Sequence, residues 1–192
     1  MANLRWADGQ VNPSGIKTKL FLALKSEIVT HPKVVAAPAT PAENVELAGD
    51  YEMAAGKTFI DIYSTQGKGK AWWESTGEKD HKMFLNKGSF KYPDISDEAK
   101  SMAKQLLNSN VVAVFLLPTG SGIPRAVVIG EEDFDTTVTN NGDSGDAPGT
   151  EKGLFFELEA PSFNPLPTYK GAIELPDGSY DCETGVFTPT IP

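Results

Sequence analysis

The side chains with the clearest chemical potential lie in an acidic stretch between residues 131 and 151. This stretch contains seven carboxylates and no Lys or Arg, and its centre reads NNGDSGD at 140–146. Carboxylate and carbonyl oxygens are the ligands that Ca²⁺ takes in proteins, so the loop is a candidate calcium site. The spacing of an EF-hand loop is absent, and the favoured interpretation is a loop that is either solvated or faces a partner.

Two adjacent tryptophans, Trp72 and Trp73, form the second candidate binding feature. Indole rings can stack on sugar rings, which would suit a carbohydrate-binding module. Adjacent residues on a strand point to opposite faces, so only one ring can fill a core while the other points outward. Outward tryptophans are typical of protein–protein contacts. The sequence favours a subunit contact or the core, with a carbohydrate- or surface-binding β-sandwich module, calcium-dependent in one version, as the alternative.

The remaining reactive residues do not combine into a catalytic set. The two histidines, His31 and His81, lack further ligands nearby, and lysines on both sides of the Asp80–His81 pair would repel a metal ion. Acidic neighbours flank the only cysteine, Cys182, and raise the pKa expected for its thiol. The GKGK turn at 67–70 lacks the P-loop spacing. We therefore expect no enzymatic activity, no metal and no cofactor.

Composition restricts the possible partners. The chain has 192 residues and a net charge of −9, and only Arg5 and Arg125 are arginines. Because arginine is favoured for bidentate contacts with phosphates and bases, a sequence-specific nucleic-acid binder is disfavoured. A single cysteine forms no intramolecular disulfide, and residues 1–6 show no apolar signal segment. The longest apolar run, 111–117, is too short to span a bilayer, so we expect a soluble protein of a reducing cytoplasm that does not bind membranes.

The elements that position these residues are predicted to be mostly strands. Strands are expected within 15–29, 57–64, 70–76, 83–92, 111–117, 125–129, 134–138, 154–160, 169–175 and 179–187. Apolar residues occupy both parities in 20–24, which is typical of a strand buried on both faces or paired with a neighbouring chain. The strands 57–64 and 70–76 are expected to form a hairpin, and Gly88 is a candidate bulge. The turn at 176–178 is expected to join the last two strands.

One helix and several extended segments complete the prediction. The helix is expected at about 94–108, capped by Asp94 or Ser96, with one apolar stripe. The proline-containing segment at about 30–56 has little core-forming pattern and is predicted to be an extended arm. The pattern indicates a single mainly β domain over 1–192, a β-sandwich or barrel with one α-helix over an opening and a short C-terminal extension at about 176–192.

The order of these elements resembles that of bacteriophage tail tube (major tail) proteins. An N-terminal strand, a long arm, a β-sandwich and a capped helix before a central apolar strand follow one another over about residues 10–175. The likeness is greatest at 150–171, which contains GLFFEL at 153–158 and PLPTYKG at 165–171. It implies a structural virion protein whose copies form six-membered rings that stack into the tail tube. It also implies assembly in the host cytoplasm and contacts with other tail proteins.

The resemblance implies roles for specific side chains. Phage DNA would pass through the lumen as non-specific cargo, because a negative wall does not bind a polyanion. The candidate acidic lumen or inter-ring residues are Glu131, Glu132, Asp133, Asp135, Asp143 and Asp146. The candidate subunit-interface residues are Leu20, Leu22, Val34, Val35, Val45, Leu47, Trp72 and Trp73. The four valine and leucine residues of the arm are expected to be buried between neighbouring copies.

Charge is distributed unevenly between two segments. Residues 57–91 carry seven lysines against four acids, whereas 131–151 carry only acids. These segments could pair across a subunit or ring contact, where ion pairs give register and steering more than affinity. The acidic segment could instead line the lumen. The sequence favours the pairing slightly, with the acidic lumen as the alternative.

Overall fold

The computed structural model describes residues 11–190, which form a mainly β structure with one α-helix, as predicted. The strands in chain order are β1 (Lys19–Leu24), β2 (Ile28–Thr30), β3 (Lys33–Val34), β4 (Glu46–Ala48), β5 (Glu52–Met53), β6 (Ile60–Tyr63), β7 (Lys70–Thr76), β8 (Met83–Tyr92), β9 (Val111–Leu117), β10 (Arg125–Ile129), β11 (Thr137–Asp143), β12 (Gly153–Ser162), β13 (Thr168–Tyr169), β14 (Ala172–Leu175), β15 (Gly178–Asp181) and β16 (Val186–Pro189). The helix α1 covers Asp97–Leu106. Among the described residues, no helix is long and apolar enough to cross a membrane.

The larger layer is a seven-stranded sheet in the order β3-β4-β13-β10-β9-β1-β6. Its central strand β9 is continuously buried, and β10 is its hairpin partner, as the sequence predicts. β1 is buried on both faces: Leu20 and Leu22 pack into one core, and Phe21 and Ala23 into a second core on the other side. Both edges of β1 pair within the chain, with β9 and β6. Of the two alternatives for residues 20–24, the structure shows a strand buried on both faces and not one that pairs with a neighbouring chain.

The second layer is a four-stranded antiparallel sheet in the order β11-β12-β8-β7. Along β12, Leu154, Phe156 and Leu158 are buried, while Glu157 and Glu159 are exposed on the opposite face. The predicted alternation of this strand is confirmed. The buried face packs on the larger sheet, so the two layers enclose the first core, and the other face has no layer over it within residues 11–190.

Gly88 of β8 marks the closest approach of the two sheets. Ala71 and Leu158 pair with it on either side without a shift in register, so the expected bulge is wrong. A Cβ atom at this position would lie 2.6 Å from Phe115 Cζ and 2.7 Å from Ile129 Cδ1. Glycine is therefore needed because side chains of the larger sheet occupy the space above it.

The expected hairpin between β6 and β7 is also wrong. β6 pairs with β1 in the larger sheet, whereas β7 pairs with β8 in the smaller one. The connection carries the chain from one layer to the other, and the Thr65 amide donates to the Lys91 carbonyl at 2.8 Å during the crossing. Alternation and a glycine turn predict two strands here, but they do not specify which neighbour each strand takes.

The helix packs its predicted stripe against the first core. Ser96 is the N-cap, and its Oγ accepts a hydrogen bond from the Ala99 amide at 3.4 Å. Ala99, Ala103 and Leu106 are buried. The apolar stripe and the cap thus confirm the predicted helix, although it is shorter than 94–108: it begins after the non-helical N-cap Ser96 and ends at Leu106.

The C-terminal segment packs on the fold through Tyr180 and Cys182, whereas its last strand β16 is exposed along its length. β14, β15 and β16 form a three-stranded meander, and the turn after Leu175 joins the first two strands as predicted. Ile173, Tyr180 and Cys182 are buried in the second core, on the outer side of the larger sheet. This meander covers the face of the sheet that the smaller sheet does not reach. Residues 191–192 of the expected extension lie outside the described residues.

The segment at 30–56 folds back on its own chain, so the prediction of a free extended arm is wrong. β3 pairs with β4, and β4 runs parallel to β13 at the edge of the larger sheet. β2 pairs with β5 to close the base of the segment. The longest continuously exposed stretch of the segment is its tip at 36–42. Short backbone ladders of this kind have no strong periodicity, which explains why the sequence pattern does not indicate them.

Candidate assembly surfaces

Both outer strands of the four-stranded sheet lack a partner on one side. β7 and β11 have seven residues each, continuous registers and no proline. Within residues 11–190, neither strand makes a backbone ladder on its outer side. Free edges of this length are templates for pairing with another chain, unless prolines, bulges or covering segments protect them. The sheet therefore offers two edges that can accept a strand.

The directions of these two strands match each other. Each neighbouring pair in the sheet is antiparallel, so with four strands β7 and β11 run in opposite directions. β7 of one copy can consequently pair antiparallel with β11 of the next. Such a contact is heterologous, and it closes into a ring when the rotation between copies divides a full turn. The sequence does not predict the edge formed by β11. It predicts a strand at 134–138 followed by an acidic loop, whereas β11 continues five residues further, to Asp143.

The two tryptophans lie on β7 and point to opposite faces, as predicted. Trp73 is 53% exposed on the free edge strand, whereas Trp72 is half-buried on the outer face of the sheet. Lys70 Nζ lies 4.0 Å from the centroid of the Trp72 ring, and Trp72 Nε1 donates to Glu74 Oε1 at 3.3 Å. The rings do not form one shared platform, and Lys70 covers Trp72. Trp73 is the aromatic side chain best placed for a contact along the edge.

The uncovered face of the four-stranded sheet carries a ladder of alternating charges. Lys87 Nζ lies 3.4 Å from Glu74 Oε2 on β7 and 3.7 Å from Glu159 Oε2 on β12. A shallow depression of about 180 Å³ beside this ladder is lined by Lys87, Thr137, Thr139, Glu157 and Glu159. Lys87 is therefore shared between two carboxylates, and the face presents polar groups without a free basic stripe.

The six candidate acidic residues do not form one cluster. Glu131, Glu132, Asp133 and Asp135 lie in the loop between β10 and β11, at one end of the sandwich. Asp143 and Asp146 lie at the far end of β11 and in the loop after it. β11 separates the two groups, so the acidic stretch is continuous only in sequence.

Several of these acids are paired with lysines of the same chain. Lys25 Nζ is 3.2 Å from Asp135 Oδ1, and Lys33 forms a salt bridge with Glu132. Glu151 pairs with Lys91 at 3.0 Å and with Lys68, and these lysines lower the pKa of its carboxyl. Part of the expected pairing between the lysine-rich and acidic segments thus occurs within one copy. The lysines used in this way are not free for pairing across a ring contact.

Glu131 differs from its neighbours because it is half-buried. Burial raises the pKa of its carboxyl, while a hydrogen bond from Ser162 Oγ lowers it and the nearby Asp133 raises it further. His31, at the start of the arm segment, is buried beside Tyr51, and burial together with Lys25 and Lys33 lowers its pKa. The end of the sandwich at 131–133 thus combines a partly desolvated acid with exposed ones.

Three of the eight candidate interface residues are core residues. Leu20, Leu22 and Leu47 have exposures of 0%, 2% and 7% inside the chain. They cannot contact another copy without unfolding, so the prediction is wrong for them; their apolar pattern reflects two-sided burial. Val34, Val35 and Val45 are half-buried against the same chain and retain partial exposure. Together with the two tryptophans they remain candidates.

The proposed calcium loop is organised by its own hydrogen bonds. Asp143 Oδ1 accepts from the Gly145 amide at 2.8 Å, and Thr150 Oγ1 accepts from the amides of Asp146 and Ala147. Over residues 11–190, no group of three or more His, Cys, Asp and Glu side chains is arranged to hold a metal ion. The loop geometry is therefore explained by local capping of backbone amides.

Cys182 is buried in the second core. Burial raises the pKa of its thiol to about 12, with a smaller contribution from the charge of Asp181. Burial also raises the pKa of Tyr51 and Tyr169 in the same core. A thiol in this environment stays protonated at neutral pH, and nucleophilic chemistry requires the thiolate.

These shifts predict a loss of stability at alkaline pH. Burial raises the pKa of the Cys182 thiol from 9.0 in the unfolded chain to about 12 in the folded protein. The folded state therefore binds more protons than the unfolded state between pH 9 and 12, and the stabilisation that the protonated thiol gives to the fold is lost as pH rises through this range. The contribution of Cys182 is up to about 4 kcal/mol. We expect the free energy of unfolding, measured in urea, to fall between pH 9 and 12, and to fall less steeply in Cys182→Ala. Equal slopes in both proteins would contradict this assignment.

Comparison with known proteins finds no matching family model, no matching curated protein and no matching solved structure. Function must therefore be inferred from the surfaces described above.

Proposed function

We propose that this protein is a structural subunit that assembles with copies of itself into stacked rings, forming a phage tail tube through which DNA is delivered. The observation that carries this proposal is the pair of free, oppositely directed edges on one four-stranded sheet. Six copies joined through β7 and β11 would make a continuous barrel of antiparallel strands without an open edge. Closure of this kind removes the aggregation hazard that two unprotected edges create in a monomer.

The uncovered face of the same sheet supports a lumen that does not retain DNA. Glu157 and Glu159 are exposed there, Lys87 is shared by two glutamates, and Lys91 pairs with Glu151. DNA binding depends on lysines and arginines that are free to neutralise phosphates. With its lysines engaged and a chain charge of −9, this wall would let a polyanion slide. The protein would then assemble in the host cytoplasm, join other tail proteins and end in the virion.

Negative-stain electron microscopy of the purified protein tests the proposal directly. We expect rings, and at higher concentration tubes, with a central channel. A protein that remains monomeric up to concentrations of several hundred micromolar would count against self-assembly. Binding to a glycan array, with no ring at any concentration, would instead favour the carbohydrate-binding alternative.

Salt is expected to strengthen ring formation. Copies that each carry −9 repel one another, and many lysines that could offset this charge are already paired inside the chain. Raising the salt concentration from about 0.05 M to about 0.5 M shortens the screening length to a few ångströms and weakens this repulsion. The apparent association constant, measured by sedimentation velocity, should rise. A fall with salt would show that ion pairs between copies dominate the ring contact.

A further inference from the structure

An exposed turn stands at one end of the larger sheet. Residues 118–124 join β9 to β10, and Ile123 at its tip is 45% exposed. Thr119 holds the turn in shape, since its hydroxyl lies 2.8 Å from Ser121 Oγ and also donates to the Ile123 carbonyl. Arg125 follows directly, is exposed and has no salt bridge within residues 11–190. This turn, called the 118–125 knob below, therefore presents an apolar side chain next to a free positive charge.

A groove of about 340 Å³ lies at the other end of the sandwich. Its apolar wall is built by Pro32, Val34, Leu47 and Phe163, and its rim carries three acids, Glu131, Glu132 and Asp133, and one lysine, Lys33, which pairs with Glu132. Phe163 is 61% exposed and packs edge-on against Phe134, with ring centroids 5.0 Å apart. Asp133 is exposed and forms no salt bridge among the described residues. The groove thus combines apolar surface with a free negative charge.

Arg125 of the knob and the acidic rim of the groove lie at opposite ends of strand β10, whereas Leu47 of the apolar wall is level with Ala126 through Tyr169. Arg125 begins this strand, and Glu131 follows its end six positions later. At about 3.3 Å per residue, the two features are roughly 20 Å apart along the strand direction. One copy cannot insert its own knob into its own groove. A second copy placed end to end can, because the charges of the two ends are opposite and both ends expose apolar side chains.

We propose, building on the self-assembly proposed above, that the 118–125 knob of one copy docks in the 131–133 groove of a copy in the next ring, with Arg125 facing Asp133 and Glu131 and with Ile123 against Phe163. This contact runs along the strands, whereas the β7–β11 contact runs across them. A heterologous contact directed along the strands does not close and produces an open stack. Knob and groove thus set the direction in which rings add to each other.

The free charges favour a second copy of this chain over an unrelated partner. Lys33 already pairs with Glu132 at the rim, whereas Glu131 and Asp133 form no salt bridge among the described residues, and Arg125 is the sole arginine between residues 11 and 190. Arginine gives bidentate geometry with a carboxylate, which lysine cannot reproduce. The partly desolvated Glu131 gains most from such a partner, because burial already disfavours its charged form.

A charge exchange tests this contact. Arg125→Glu and Asp133→Arg should each leave ring formation intact and shorten tubes in electron micrographs, with end-to-end association weakened about tenfold per contact. The double variant Arg125→Glu/Asp133→Arg restores opposite charges across the contact and should recover tube length. Lys104→Glu, an equal charge change at an exposed helix position without a salt bridge, is the matched control and should stack like the unaltered protein.

Normal tube length in Arg125→Glu, or no recovery in the double variant, would overturn the knob-in-groove contact while leaving the ring proposal untouched. If the unaltered protein forms no rings, sedimentation equilibrium still measures end-to-end growth. Growth that Arg125→Glu abolishes would support the contact on its own. A strictly monomeric protein would overturn it and assign the groove to a partner other than this chain.

Discussion

Replacing Trp73 with alanine is expected to abolish rings and tubes while leaving a folded monomer. Trp73 is 53% exposed on β7, the strand whose outer side is free to pair. A tryptophan at the centre of a protein contact typically contributes about 2 kcal/mol or more to association, and every ring contact would lose it. Because the side chain is exposed in the monomer, its removal should change the free energy of unfolding by only about 0.5 kcal/mol. Size-exclusion chromatography with light scattering measures the assembly, and urea denaturation measures the monomer.

Val29→Ala is the matched control for this variant. Val29 is 68% exposed on β2, in the small two-stranded sheet away from both free edges. The Val29→Ala substitution removes exposed apolar surface without touching β7 or β11, so the assembly of this variant should match that of the unaltered protein. Rings in Trp73→Ala at the normal concentration would exclude a β7 contact centred on this residue. Loss of assembly in both variants would indicate a general effect of surface hydrophobicity.

The sequence predicts the elements of this fold better than their partners. The continuous apolar run at 111–117 and the two-sided pattern of β1 identify the buried strands, because burial on both faces leaves a direct mark on composition. The Ser96 cap and the apolar stripe likewise identify α1. Partner choice leaves no such mark, which is why β6 and β7 resemble a hairpin in sequence yet belong to different sheets.

The candidate surfaces were predictable only in part for the same reason. Strand alternation alone predicts that Trp72 and Trp73 point to opposite faces, but it does not tell which of the two lies on the uncovered face. The free edges of β7 and β11 depend on the order of strands in the sheet, and no local pattern encodes that order. The acidic stretch appears as one feature in sequence, but β11 carries its two ends to opposite ends of the sandwich. The candidate interface shows the reverse error: Leu20 and Leu22 lie in a strand buried on both faces, and Leu47 is a core residue within a weakly patterned segment.

The sheet-to-sheet contact at Gly88 leads to the second large expected effect. Gly88→Ala should destabilise the fold by about 1–3 kcal/mol, because the new methyl group would overlap Phe115 and Ile129, which are both 0% exposed. For a chain of this size, each kcal/mol lowers the melting temperature by roughly 2–4 °C. Gly120→Ala is the control, because the nearest atom to its new Cβ is the Val11 carbonyl oxygen at 3.3 Å in an exposed turn.

A double-mutant cycle shows whether the overlap itself causes the loss. Phe115→Leu removes the ring atoms that a Cβ at position 88 would meet, at a cost of its own from the smaller side chain. Combined with Gly88→Ala, it should destabilise the protein by less than the sum of the single changes, since the methyl group then fills space that the ring has left. Strict additivity in urea denaturation would mean that the two sheets adjust their separation freely at this point. A favourable coupling of about 1 kcal/mol would instead establish that Gly88 is required by the packing of Phe115 against the four-stranded sheet.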